Sequence, residues 1–339
     1  ASLKAIARAG AGVNNISVDL CSEKGIVVFN TPGANANGVK ELVLTGLFLS
    51  SRKIVEGIQW TKSLKGKGDE VPKLVEKGKG EFAGPEILGK KLGVIGLGAI
   101  GVLVANAANA LGMDVQGYDP YMSIDAAWGL SRDVHRAISL DSMLAECDYI
   151  TIHVPLLDET KNMLNKEKFA LMKKGVRILN FSRGELVNNT DLIEAIKAGI
   201  VASYVTDFPS DELIDVENII TIPHLGASTP ESEDNCAVMA VEQLRNYLEH
   251  GNIKNSVNFP DCEMARTTNY RTVVAHRNIR NMVGQITTIL AHADINIMDM
   301  MNKSKKDWAY TIIDSDKKVE EDIVAKIRAI DGVVSVRTL

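Results

Sequence analysis

From residue 92 onward the chain alternates short apolar runs with amphipathic stretches at helical spacing. Residues 92–95, 115–118, 149–154, 176–181, 200–205 and 219–222 read as strands, and 101–111, 140–146, 166–172 and 190–197 as helices between them. Near-continuous apolar strands separated by helices predict a parallel sheet covered on both faces. Two more strands are predicted at 4–7 and 26–29, followed by a long apolar helix pattern over 39–54. The next segment, TKSLKGKGDEVPKLVEKGKGEF, is rich in Lys, Glu and Gly. It reads as a solvated excursion whose helix-forming pieces also suit an arm packed on a second subunit.

Residues 249–270 are polar, contain Pro260 and read as a linker. The tail then shows a compact β-α-β-β-α-β pattern, ferredoxin-like in its order. Its strands are predicted at 271–276, 295–302, 308–314 and 333–339, and its helices at 282–292 and 319–330.

One turn within the parallel unit carries chemistry. GVIGLGAIG places Gly96, Gly98 and Gly101 between a predicted strand and a predicted helix, the only setting in which such a motif is informative. Gly96 permits a tight turn, Gly98 lets the backbone approach a pyrophosphate, and Gly101 allows close helix–strand packing. Ala99 and Ile100 open the helix, whose free N–H groups and positive dipole end suit phosphates. The second strand ends YDP, putting Asp119 where a carboxylate accepts ribose hydroxyls and repels a 2′-phosphate. The next four residues bring no Arg or Lys, so NAD is favoured over NADP.

Composition narrows the setting. The 339 residues suffice for two or three domains, and 45 % hydrophobic and 24 % charged residues are ordinary for a globular protein. A net charge of −5 argues against a nucleic-acid partner. No apolar run reaches the roughly 18 residues of a membrane span. The chain opens on Ala1 without a secretory apolar core. Cys21, Cys147, Cys236 and Cys262 lie far apart with no CxxC, which points to reduced thiols in a cytoplasmic protein rather than a metal site.

Three later strand ends each supply one polar group: Arg183 in ILNFSRGELV, Glu212 in VTDFPSDELI and His224 in ITIPHLGAST. Ligands of open α/β sheets bind at the carboxyl ends of strands, so these three can converge. Oxidising a 2-hydroxy acid sends a hydride to the nicotinamide and a proton to a base titrating near neutrality. His224 suits the base, Glu212 a carboxylate bracing the imidazole, and Arg183 a fork for the substrate carboxylate. Singly, each residue is equally at home as an ordinary structural or surface group.

GVIGLGAIG, YDP, HVPLLDET, NFSRGELV and IPHLGAST together resemble the D-2-hydroxyacid dehydrogenase family. RAGAGVNNI and NTPGANANGVKEL are similar to its branch acting on 3-phosphoglycerate. The resemblance implies an α/β protein with a doubly wound Rossmann cofactor domain over 39–229. It also implies a discontinuous flavodoxin-like substrate domain over 1–38 and 230–260, a linker over 261–269 and an ACT domain over 270–339. The family pattern makes Arg183, Glu212 and His224 the catalytic triad. It implies further NAD contacts from His153, Pro155, Ser182, Asp207 and Gly226. Arg8 would face the substrate phosphate, with Ala9, Gly10 and Gly12 lining the carboxylate side.

Relatives carry another stretch before the position of Ala1, with a further phosphate-contacting arginine, so the substrate domain is expected to be N-terminally incomplete. The implied reaction is oxidation of 3-phosphoglycerate to 3-phosphohydroxypyruvate, the first step of serine synthesis. A homodimer or homotetramer is implied, with L-serine as effector at His276, Asn278 and Asn296. The relatives' Pro-Gly after the first Asn is replaced by Arg280 and Asn281. Reduction of hydroxypyruvate or glyoxylate, and non-catalytic NAD-bound amino-acid sensing, remain as alternatives.

Overall fold

The computed structural model describes residues 3–339; the first two positions of the expected substrate domain lie outside the described residues. The chain forms two compact units. One comprises the residues up to Ala34 together with Glu233–Leu339, and the other is Asn35–Ser232.

In chain order the first unit starts with β1 (Ala5–Ala7), α1 (Val18–Glu23) and β2 (Val27–Phe29). The second unit then contributes α2 (Ala36–Ser51), α3 (Ile54–Ser63), α4 (Val71–Gly78), β3 (Lys91–Ile95), α5 (Ala99–Ala110) and β4 (Asp114–Tyr118). It continues with α6 (Ile124–Gly129), β5 (His135–Arg136), α7 (Leu140–Glu146), β6 (Tyr149–Ile152), α8 (Lys166–Leu171) and β7 (Val176–Asn180). It closes with α9 (Asn189–Lys197), β8 (Val201–Thr206) and β9 (Ile219–Thr221). Helix α10 (Pro230–His250) carries the chain into the remainder of the first unit. There follow β10 (Tyr270–Arg277), α11 (Met282–His292), β11 (Ile297–Lys305), β12 (Trp308–Ser315), α12 (Glu321–Arg328) and β13 (Val333–Thr338).

The second unit is a seven-stranded parallel sheet in the order β5-β4-β3-β6-β7-β8-β9. Adjacent residues of a strand point to opposite faces. Accordingly Ile178 joins a core with Met143, Ile150 and Leu192, while Leu179 joins another with Val43, Val104 and Leu92. Burial on both faces is why these strands read as continuous apolar runs. Strand order reverses between β3 and β6, the place where such sheets open a crevice at their carboxyl ends.

Several elements differ from expectation. The long apolar helix begins earlier and ends at Ser51, with Arg52 extended before α3. The Lys/Glu/Gly segment completes α3 and contains α4, neither helix with a buried residue, and Phe82 beyond α4 lies against Trp60 of α3 with ring centroids 5.2 Å apart. The short elements α1, α6 and β5 escaped the periodicity reading. β5 is two exposed polar residues, too short for any period to register.

In the first unit β1 pairs with β2 in parallel, and the tail is a four-stranded antiparallel sheet in the order β11-β12-β10-β13. Val274 and Ile313 face α11 and α12, whereas Val273, Ala275 and Ile312 face a core shared with Phe29, Tyr247 and Phe259. The stretch expected to be a polar linker is structured. Asn258, Phe259, Cys262 and Met264 are buried, and Ile253 bridges Cys262 in antiparallel register. Asn258 accepts from Val28 N at 2.9 Å and donates to Ile26 O and Ser22 Oγ. Its polarity serves buried backbone partners rather than water.

Arg271 holds this unit's centre. It and Asp314 are fully buried and paired at 2.6 and 2.9 Å. The same guanidinium donates to His250 O, Met264 O and Ala265 O, while Thr267 N and Oγ1 donate to Asp314. Burial pushes the Asp314 carboxyl up, but the bonds from Arg271 and Thr267 outweigh it and hold the group below its usual value. Asp314→Asn should therefore cost about 3–5 kcal/mol, because it strands a buried cation. The carboxylate's contribution is complete above its unfolded pKa and is lost as pH falls through its lower folded value. The gap between the unaltered and Asp314→Asn chains in urea unfolding should thus narrow below about pH 4.

Candidate functional site

The glycine turn sits at the reversal of strand order. Gly96 has φ +89°, and a Cβ there would lie 2.6 Å from His153 O. A Cβ on Gly101 would lie 1.9 Å from Gly96 O, so α5 can seat against the turn only without one. Gly98 contrasts with both. It caps α5 with no side-chain hydrogen bond, and a Cβ would meet nothing within 4 Å. The first N–H groups of α5, at Ala99, Ile100 and Gly101, thus open beside free space, a fit for a pyrophosphate.

Asp119 stands at the end of β4. Its Oδ2 accepts from Leu97 N and its Oδ1 from Tyr121 N, both at 2.8 Å. Beside it lies a cavity of about 450 Å³ lined by Leu97, Tyr118, Pro120, Met122, Leu130, Val134 and Ile138, with His135 and Arg136 from β5. Neither β5 residue was singled out from sequence. The register of a two-residue strand, pairing Arg136 with Gly117, was the missing information.

The turn after β6 carries His153, whose N donates to Ile95 O at 2.7 Å. Its Nε2 pairs with Thr151 Oγ1 at 2.9 Å, its buried Nδ1 has no partner, and burial lowers its pKa to about 3. The ring is therefore neutral at any working pH. Pro155 O accepts from Thr160, and Ser182 Oγ donates to Val154 O at 2.6 Å, tying the ends of β6 and β7 together.

Arg183 follows β7, is exposed, and donates to Ser182 O. Asn180 Nδ2 donates to Arg183 O at 2.8 Å and to Tyr204 Oη at 3.1 Å, which fixes the backbone of this corner. Asp207 follows β8 and is 1 % exposed, with neither carboxylate oxygen hydrogen-bonded by a side chain. Burial raises its pKa, opposed by the charges of His224 and Arg183. Gly226 lies against it, a Cβ there falling 3.6 Å from Asp207 Oδ2. A buried carboxylate served by nothing stronger than nearby backbone N–H groups can take a further donor. The amide of a nicotinamide is chemically such a donor, so the residues present fit a dinucleotide at both ends of this edge.

His224 is exposed, with its ring 4.7 Å from that of Phe208. Glu212 is not hydrogen-bonded to it. The Glu212 carboxylate instead accepts from Asn189 Nδ2 at 3.3 Å, beside a cavity of about 460 Å³ shared with Tyr204, Phe208 and Ser210. Asp207 is the carboxylate whose charge His224 feels, and Phe208 is the ring that supports the imidazole. Sequence spacing alone does not reveal either partner.

Arg8 and the glycines after it lie in the first unit. Arg8 donates to Gly12 O, and Gly10, at φ +146°, donates to Thr31 Oγ1 at 2.7 Å. Ala9 follows β1 within this closed loop. Of the expected effector residues, His276 is 2 % exposed. Its ring nitrogens engage Arg277 O and Thr311 Oγ1 at 2.8 and 2.9 Å. Asn278 donates to Lys306 O, and Asn296 reaches Met298 Sδ and, through its N–H, Asp316. The three share no hydrogen-bond partner. Among the described residues, no group of three or more His, Cys, Asp or Glu is placed to hold a metal ion.

Comparison with known proteins gives this geometry a lineage. The chain is 34 % identical over 305 residues to a D-3-phosphoglycerate dehydrogenase of Methanocaldococcus jannaschii, covering 88 % of this chain and 55 % of the relative. It is 29 % identical over 347 residues to that of Haemophilus influenzae, covering 97 % and 79 %. The chain spans about half the length of its archaeal relatives. Among solved structures, a cofactor (NAD⁺)-bound 3-phosphoglycerate dehydrogenase of Entamoeba histolytica matches with a TM-score of 0.59 and 29 % identity, over 75 % of each chain. Residues 44–226 match the model of the D-isomer specific 2-hydroxyacid dehydrogenase NAD binding domain. The chain belongs to the D-isomer specific 2-hydroxyacid dehydrogenase family.

Proposed function

We propose that this protein catalyses NAD-dependent oxidation of 3-phosphoglycerate to 3-phosphohydroxypyruvate. The observation that carries the reading is one sheet edge. It combines a glycine-turn helix whose first N–H groups face open space with a buried Asp207 that has no side-chain partner, and with Arg183 and His224 after the strands to either side. The relatives of matching sequence are D-3-phosphoglycerate dehydrogenases.

In this reading NAD, when bound, accepts the hydride from C2 of the substrate. Arg183, free of any carboxylate partner within 4 Å among the described residues, grips the substrate carboxylate through two N–H groups. The His224 imidazole takes the C2 hydroxyl proton. Glu212 is assigned the brace for that imidazolium, and to form the pair its side chain must leave Asn189. Arg8 is assigned the substrate phosphate, with Ala9, Gly10 and Gly12 beside it.

The C-terminal sheet has the strand order and two-helix face of an ACT-type module, which supports a regulatory role for it. With both His276 nitrogens spent internally, L-serine would be read by Asn278 and Asn296. Exposed Ile54 and Ile58 on α3 and the open edge of β11 support a homodimer or homotetramer. Four unpaired, buried thiols suit a cytoplasmic location.

Three substitutions test this reading. His224→Ala should lower kcat for 3-phosphoglycerate oxidation by about 10²–10⁴, followed by NADH absorbance, with NAD affinity nearly unchanged. Near-normal turnover would remove the base assignment. Gly98→Ala should change stability by no more than about 0.5 kcal/mol while weakening NAD binding, because its new methyl occupies open space at the helix cap. Gly101→Ala should cost about 1–3 kcal/mol in thermal or urea unfolding before any ligand is added, because its methyl meets a carbonyl.

A further inference from the structure

The cavity beside Asp119 contains a cation that the order of residues along the chain conceals. Arg136 pairs with Gly117 in the parallel register of β4 and β5, and Asp119 lies two residues beyond Gly117. Cross-strand partners, and residues two apart on one strand, project to the same face. A Cβ on Gly117 would touch the Leu97 side chain, and Asp119 accepts from Leu97 N. Arg136 therefore projects toward the face that carries Asp119 and Leu97, and all three line the one cavity.

The charges around this cavity are unequal in their commitments. Both Asp119 oxygens already accept backbone N–H groups, from Leu97 and Tyr121. Arg136 is exposed and has no carboxylate within 4 Å among the described residues. His135 stands beside it on the same wall. A guanidinium without a partner, next to a ribose-binding carboxylate, is the arrangement that accommodates a 2′-phosphate.

Resting on the dinucleotide reading of the glycine turn, we propose that Arg136 sets cofactor choice. It offsets the repulsion of Asp119, so that the chain binds NADP as well as NAD. The absence of Lys or Arg immediately after Asp119 does not exclude NADP, because the counter-charge comes from the neighbouring strand.

Isothermal titration of the full chain with NAD and with NADP, without substrate, reads this directly. The dissociation constant for NADP should lie within thirtyfold of that for NAD, and its affinity should fall more steeply with salt. Arg136→Ala, at an exposed position, should weaken NADP at least tenfold and NAD less than threefold, with an unchanged circular dichroism spectrum. NADP weaker than NAD by more than thirtyfold in the unaltered chain overturns the proposal. So does an Arg136→Ala loss that fails to separate the two cofactors by this margin. NAD binding without NADP binding sinks this proposal alone, whereas failure to bind either cofactor also removes the dinucleotide reading.

Discussion

The contact between Gly101 and the Gly96 carbonyl is the constraint from which the rest of the second unit follows. With only hydrogen at Gly101, α5 begins immediately beside the end of β3, and its first N–H groups point out over the sheet edge. That edge is also where strand order reverses, so the chains leaving β3 and β6 diverge and leave room between them. A side chain at position 101 would push the helix back and close the space its dipole addresses. Gly96 reinforces the arrangement from below, since a Cβ there would strike the backbone of His153 on the neighbouring turn. Two absent methyl groups thus shape the turn, while a third, at Gly98, is absent where nothing in the protein requires it. A group that is free of internal purpose at the mouth of a site points to a ligand.

The far half of the same edge is organised by charge rather than by shape. Asp207 is buried without a side-chain partner, which is expensive in the free protein. Arg183 lowers that cost by its charge, and Arg183, Asp207 and His224 follow neighbouring strands. The imidazole is steadied by Phe208, while Glu212 sits with Asn189 at the start of α9. The ligand-free protein therefore keeps its two acidic groups in different states. Asp207 is buried at the sheet edge, whereas Glu212 is exposed and bonded to Asn189.

How far this was legible in the sequence depends on whether the determining contact was local. The central strands were legible because burial on both faces leaves an unbroken apolar run, as in Ile178 and Leu179. The glycine turn was legible because its spacing between a strand and a helix is itself the signal, and the close contact of Gly101 with the Gly96 carbonyl is local, although the contact of Gly96 with His153 is not. The tail was legible because Val273, Val274 and Ala275 alternate between two cores. The pair His135 and Arg136 was not legible: a two-residue edge strand has no period, and its importance comes from register with Gly117. The partner of Glu212 was missed for the same reason, since Asn189 comes from a helix 23 residues earlier.

The polar stretch before β10 shows most plainly why composition misleads. Its Asn, Thr and backbone groups looked solvated, yet they converge on Arg271 and Asp314, which are fully buried. A buried ion pair gains little stability over well-packed apolar residues, because desolvation offsets its attraction. What it demands is geometry. Arg271 is satisfied only when the end of α10, the 264–265 carbonyls and Asp314 on β12 all stand in place. The connection between α10 and the four-stranded sheet is held at this buried point and again where Arg337 donates to Tyr247 O and Leu248 O and Tyr310 Oη donates to Gly251 O. The arrangement of this unit thus rests on the geometry that Arg271 requires together with the apolar core that Tyr247, Val273 and Ile312 share.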